Sequence, residues 1–91
     1  MGKGGDVDVD EVVGSLNRLL RAVRFDSLRS VERFIDRAVE QLCNCNAIVE
    51  VHDEGEGSAY IIVRCRGRGF SGRLRYRATI DVEGIEVDWH S

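Results

Sequence analysis

The spacing of apolar residues along this chain of 91 residues changes once, from three-and-four to two. From Asp10, the residues Val12, Val13, Leu16, Leu19, Leu20 and Val23 recur at the helical interval and predict an amphipathic helix that Asp10 is placed to cap. Gly14 weakens that helix by about 1 kcal/mol relative to alanine. The pattern breaks at Phe25-Asp26-Ser27, where Asp26 or Ser27 suits the N-cap of a second helix. Leu28, Val31, Ile35, Ala38 and Leu42 form its buried stripe, widened by Phe34 and Val39. Its other face carries Arg29/Glu32, Arg33/Asp36 and Arg37/Glu40, charge pairs at i,i+3 that mark a solvated surface rather than a site.

From Asn46 the period is two. Ala47, Val49 and Val51 alternate with Ile48, Glu50 and His52, and residues 53–58 read as a turn. A second strand over 60–66 places Ile61, Val63 and Cys65 on one face, with Tyr60, Ile62, Arg64 and Arg66 on the other. Residues 67–72 read as a loop. Leu74, Tyr76, Ala78, Ile80 and Val82 then alternate with Arg73, Arg75, Arg77, Thr79 and Asp81. Glu83-Gly84 reads as a hairpin turn, and Ile85, Val87 and Trp89 as the inner face of a last strand. The expected fold is α+β: two N-terminal helices packed on one face of a four-stranded antiparallel meander. Residues 1–9 would be a flexible tail and 10–91 a single domain.

Charge changes this picture more than composition does. Hydrophobic residues make up 43% of the chain and charged residues 32%, a globular balance. The net charge is −3, yet residues 60–79 hold six arginines and no acid. Local charge sets the field near a surface, so an acidic protein with such a segment can still meet an anion. Apolar runs are too short for a membrane helix, and the first six residues lack a signal-peptide core, so a cytoplasmic protein without a membrane partner is expected. Cys43, Cys45 and Cys65 are odd in number, which argues against a disulfide framework while leaving a single bridge from Cys43 or Cys45 open. With His52 and His90 they are formal zinc ligands, but paired C-x2-C knuckles are missing, and neither metal nor cofactor is expected. His52 beside Asp53 and Glu54, and Asp88 beside His90, lack a nucleophile or phosphate loop in a recognisable setting, so no enzyme and no catalytic residue is expected.

If Gly67 opposes Gly72, Arg66 faces Arg73 and Arg64 faces Arg75, an arrangement that destabilises a sheet unless an anion covers it. The turn at Glu83-Gly84 would set Asp81 against Glu86, Thr79 against Asp88 and Arg77 against His90, with Asp88 diagonal to Arg77. Glu50, on the first strand, would be the acid within reach of Arg64, while Arg66, Arg68, Arg73 and Arg75 would lack one. Arginine forks match phosphate oxygens and stack on bases. Glycines at 67, 69 and 72 would let a phosphate chain approach, and an exposed Phe70 would stack on a base, unless it folds back as a core plug. Tyr60 shares the same face. The reading is a non-catalytic, sequence-independent binder of single strands, DNA ahead of RNA, because unstacked bases need a flat π surface. Arg64, Arg66, Arg68, Arg73, Arg75 and Arg77 would contact phosphates, with Tyr60 and Phe70 stacking. The alternative is a protein-interaction module whose arginine face docks an acidic partner or subunit.

Two helices before a four-stranded antiparallel sheet, with arginines and aromatics on the strands, resemble the DNA-binding domain of the ThermoDBP family. The likeness covers 10–91 and lies in element order and surface character rather than in a shared motif. It implies single-stranded DNA binding, a hyperthermophilic archaeal source and a homo-oligomer, dimer or tetramer. The chain stops after a strand, without the C-terminal helical zipper of longer members, so it would be a short relative that assembles some other way.

Overall fold

The computed structural model describes residues 9–77 and 80–90. Most of the expected N-terminal tail, and the strand positions expected at Ala78 and Thr79, lie outside them; Val9 is instead the first residue of a helix. α1 spans Val9–Arg21 and α2 spans Leu28–Cys43. Ser27 caps α2 as its composition suggested, its hydroxyl accepting from the Ser30 N–H. Val12, Val13, Leu16 and Leu20 of α1 join Val31, Ile35, Ala38 and Val39 of α2 in one buried cluster, completed by strand residues such as Ile61, Val63, Phe70 and Leu74.

The strands are β1 (Ala47–Gly55), β2 (Ser58–Cys65), β3 (Arg68–Tyr76) and β4 (Val82–His90). They lie in the order β1-β2-β3-β4, each antiparallel to the next. Two expectations about register are corrected. Residues 68–72 of the loop expected over 67–72 belong to β3, because Arg66 and Gly67, at φ 57° and 77°, close a two-residue turn whose positive dihedrals match the strand twist. Cys65 therefore pairs with Arg68, Arg64 with Gly69, Tyr60 with Arg73 and Ser58 with Arg75. No arginine opposes another between β2 and β3.

The second correction concerns β4. Glu83-Gly84 is not the turn; the chain reverses between Arg77 and Asp81, where the Arg77 N–H donates to the Asp81 carbonyl at 3.0 Å. Glu86 consequently opposes Arg73, Gly84 opposes Arg75 and His90 opposes Phe70, replacing all three expected pairings. The ladder slips twice, leaving Glu83 and Asp88 as extra residues. Gly84 takes φ 156° in the first bulge. There α1 covers the sheet edge: Asn17 Oδ1 accepts from the Ile85 N–H at 2.8 Å, and Arg21 Nε donates to the Glu83 carbonyl at 3.1 Å. The second bulge moves Trp89 off the inner face.

A disulfide joins Cys45 to Cys65, fastening the entry of β1 to the end of β2. At the opposite end of the sheet, the Tyr76 hydroxyl donates to Asp53 Oδ1 at 2.6 Å.

Candidate nucleic-acid interface

Beyond a row of Ser58, Arg75 and Gly84, pairing sets out three further rows on the sheet face away from the buried cluster. His52, Tyr60, Arg73 and Glu86 lie across β1 to β4; Glu50, Ile62, Ser71 and Trp89 form the next; Ile48, Arg64 and Gly69 form the third, beside the Arg66-Gly67 turn. Arginines, aromatics and carboxylates thus share one face, and which of them meet decides its chemistry.

The six arginines divide. Arg73 lies 3.5 Å from Glu54, Arg75 lies 3.5 Å from Glu86, and Arg77 lies 3.2 Å from Glu83. The expectation that Arg73 and Arg75 lack acids is therefore corrected. The two-residue turns and the bulged β4 bring Glu54 and Glu86 alongside them. Arg77 meets Glu83, not Asp88, because the chain reverses earlier than its glycine suggested. All three pairs are exposed, so each contributes at most about 1 kcal/mol. Arg66 donates from Nη2 to the Asn44 carbonyl at 2.9 Å, at the C-terminal end of α2. Arg68 pairs with Cys65 and so lies on the same face of β3 as the buried Phe70 rather than the expected outer one. Arg64 stays exposed on the outer face, opposite Gly69 and Ile48. Among the described residues no carboxylate pairs with Arg64 or Arg66. Glu50 does not serve Arg64; it faces Ile62 and bonds His52 Nε2 at 3.0 Å.

The aromatic expectations also divide. Phe70 is 4% exposed and belongs to the core, so it cannot stack on a base. It pairs with Val63 on the inner face once the turn is placed at Arg66-Gly67. Gly69 and Gly72 are equally committed, since a Cβ there would run into the carbonyls of Val63 and Glu86, and they serve strand packing rather than phosphate approach. Tyr60 is half-buried on the outer face, as expected. Trp89, expected in the core, is 61% exposed on that face opposite Ser71. Sequence reasoning missed it because one extra residue in a strand inverts the faces of all that follow. A groove of about 650 Å³ lies there, lined by Ile48, Tyr60, Ile62, Arg64, Ser71 and Trp89 among others. Small residues on β3, Gly69 and Ser71, lie between the β2 side chains and Trp89.

At the far end, the Tyr76 hydroxyl and the Gly55 N–H hold Asp53 below the usual carboxylate range, and the same hydrogen bond raises Tyr76 above the usual phenol value. Asp53 is thus tied to Tyr76 rather than to His52. Comparison with known proteins gives no bearing on these residues: no family model, curated protein or solved structure matches the chain. No helix among the described residues is long and apolar enough to cross a membrane.

Proposed function

We propose that this protein binds single-stranded nucleic acid, DNA ahead of RNA, without catalysis and largely without regard to sequence. On this reading the sheet is a meander backed on one face by α1 and α2, and the groove on its other face takes the strand. The observation that carries the reading is the groove itself, where an exposed Trp89 and a half-buried Tyr60 lie with an Arg64 that no described carboxylate neutralises. Indole and phenol rings supply π surfaces for unstacked bases, and a guanidinium tracks the phosphates between them. Arg66 lies at the rim, where its Nη2 donates to the neutral Asn44 carbonyl. Arg73 and Arg75, each already beside an exposed carboxylate, contribute less to phosphate binding than Arg64. The order of two helices before four antiparallel strands is the one for which the ThermoDBP resemblance implies single-stranded DNA binding.

Ile48, 62% exposed at the groove's edge, favours a second reading in which the face docks an acidic protein partner or another subunit. Trp89 is the only tryptophan, so its emission reports directly on the groove. Titration with single-stranded DNA, single-stranded RNA and duplex should quench it most with single-stranded DNA. The slope of log K against log salt should be about −0.7 for each phosphate engaged. No quenching and no binding at low salt would refute the reading and leave the protein-docking one.

A further inference from the structure

Three sulfur atoms meet at the Arg66-Gly67 end of the sheet, where Cys65 also lines the groove. Cys43 is the last residue of α2, and Asn44 follows it in the left-handed region at φ 52° and ψ 53°. That single residue turns the chain, with its own N–H and the Cys45 N–H both returning to the Glu40 carbonyl. Pairing of β1 with β2 sets Cys65 opposite Ala47 and so brings it to Cys45 across a sequence separation of 20. Cys45 and Cys65 form the disulfide, while Cys43 is a free thiol. One ligand atom from each lies within 4.8 Å of the other two, and all three residues are half-buried.

Thiolates bind a shared metal ion at about 2.3 Å, which places sulfurs roughly 4 Å apart around it. The three sulfurs are already grouped on that scale by the fold, and breaking the S–S bond frees the two that are joined. Arg66 and Arg68 line the same cavity of about 250 Å³ as Cys43 and Cys65, so two guanidinium charges stand near any thiolates formed there. Soft sulfur ligands select soft or borderline ions. We propose that the reduced protein binds one thiophilic d10 cation, copper(I) or zinc(II), through Cys43, Cys45 and Cys65. An external dithiol gives two electrons and two protons to the Cys45–Cys65 bond and leaves as its own disulfide; the cation then displaces the thiol protons. Among the described residues the cluster holds three such ligands, which fills a trigonal copper(I) shell and leaves zinc(II) a fourth position for an exogenous ligand. Sequence spacing did not suggest the site, because the C-x2-C rule describes knuckles, whereas here a left-handed residue and a strand pairing assemble the sulfurs.

The test uses the full chain, reduced anaerobically with a phosphine. One arm titrates copper(I), delivered as its acetonitrile complex, against a chromophoric copper(I) chelator. The other titrates zinc(II) against a chromophoric zinc chelator, and native mass spectrometry counts the bound ions. One ion per chain is expected in at least one arm, and none before reduction. Cys43→Ser, Cys45→Ser and Cys65→Ser should each weaken binding by more than about tenfold, a scale that even outer-shell changes reach at metal sites. Cys43→Ser keeps the disulfide pair, so its oxidised form folds as the parent does, checked by circular dichroism. No ion taken up in either arm, equal uptake by the oxidised chain, or unchanged affinity in Cys43→Ser would each overturn the proposal.

Discussion

The two ends of the exposed sheet face use the same residue type differently. Toward the β1–β2 turn and the Arg77–Asp81 reversal, Arg73, Arg75 and Arg77 each reach a glutamate within 3.5 Å. Toward the Arg66-Gly67 turn, Arg64 has no such neighbour among the described residues and shares a groove with Ile48, Tyr60, Ile62 and Trp89. A run of arginine in sequence is therefore a poor measure of free positive charge. What matters is which strand register and which bulge bring carboxylates alongside. The neutralised end resembles an ordinary solvated surface, and the groove end combines charge with aromatic area.

The largest expected effect separates support from contact at the groove end. Phe70 lies in the core beneath it, and Phe70→Ala should cost about 3–5 kcal/mol of folding stability, read from the midpoint of urea unfolding. A loss below about 1 kcal/mol accompanied by lost DNA affinity would instead make Phe70 a contact residue. Trp89→Ala comes next. It should leave folding within about 0.5 kcal/mol, as surface changes do. It should weaken single-strand binding by about 1–3 kcal/mol, followed by anisotropy of a labelled oligonucleotide because the intrinsic probe is removed. Unchanged affinity would remove the aromatic half of the contrast.

The smallest effect lies at the neutralised end and is pH-dependent. Asp53 titrates below its ordinary value of 3.8 because Tyr76 and the Gly55 N–H bond its charged form. A depressed folded-state pKa contributes stability above the unfolded value, lost as pH falls through the folded one. Tyr76 has the opposite sign: raised above 10.0, it contributes below that pH and loses the contribution as pH rises through its folded value. Tyr76→Phe should therefore flatten the acid limb of stability below the ordinary aspartate pKa, seen in urea midpoints across that range, and leave Trp89 quenching by DNA unaltered. Identical acid limbs in parent and variant would show that the hydrogen bond does not matter in solution.

Much of the secondary structure was legible in the sequence. The Ser27 cap and the stripe through Val31, Ile35 and Ala38 located α2, and the switch to alternation at Asn46 located the sheet. The register was not legible. Arg66-Gly67 is a two-residue turn with arginine where asparagine or aspartate is the usual signal, so the sequence pattern places the start of β3 five residues later than it is. Gly84 looked like a turn residue but occupies a bulge under Asn17. The bulge at Asp88 then carried Trp89 from the expected core to the groove. Each error is local, yet each inverts or shifts everything after it, and the candidate site inherited all of them. Arg64 and Tyr60 kept their expected places because the alternation through β2 is uninterrupted.

The contrast between the two ends is tested most directly by the salt dependence of single-stranded DNA binding in two double variants, Arg64→Gln with Arg66→Gln and Arg73→Gln with Arg75→Gln. The first should reduce the magnitude of the slope of log K against log salt by about 1.4, two phosphate contacts at about 0.7 each. The second should change it by less than half of that, since those arginines already have carboxylates. An equal or larger change in the second variant would contradict the account and place the strand on the other end of the sheet.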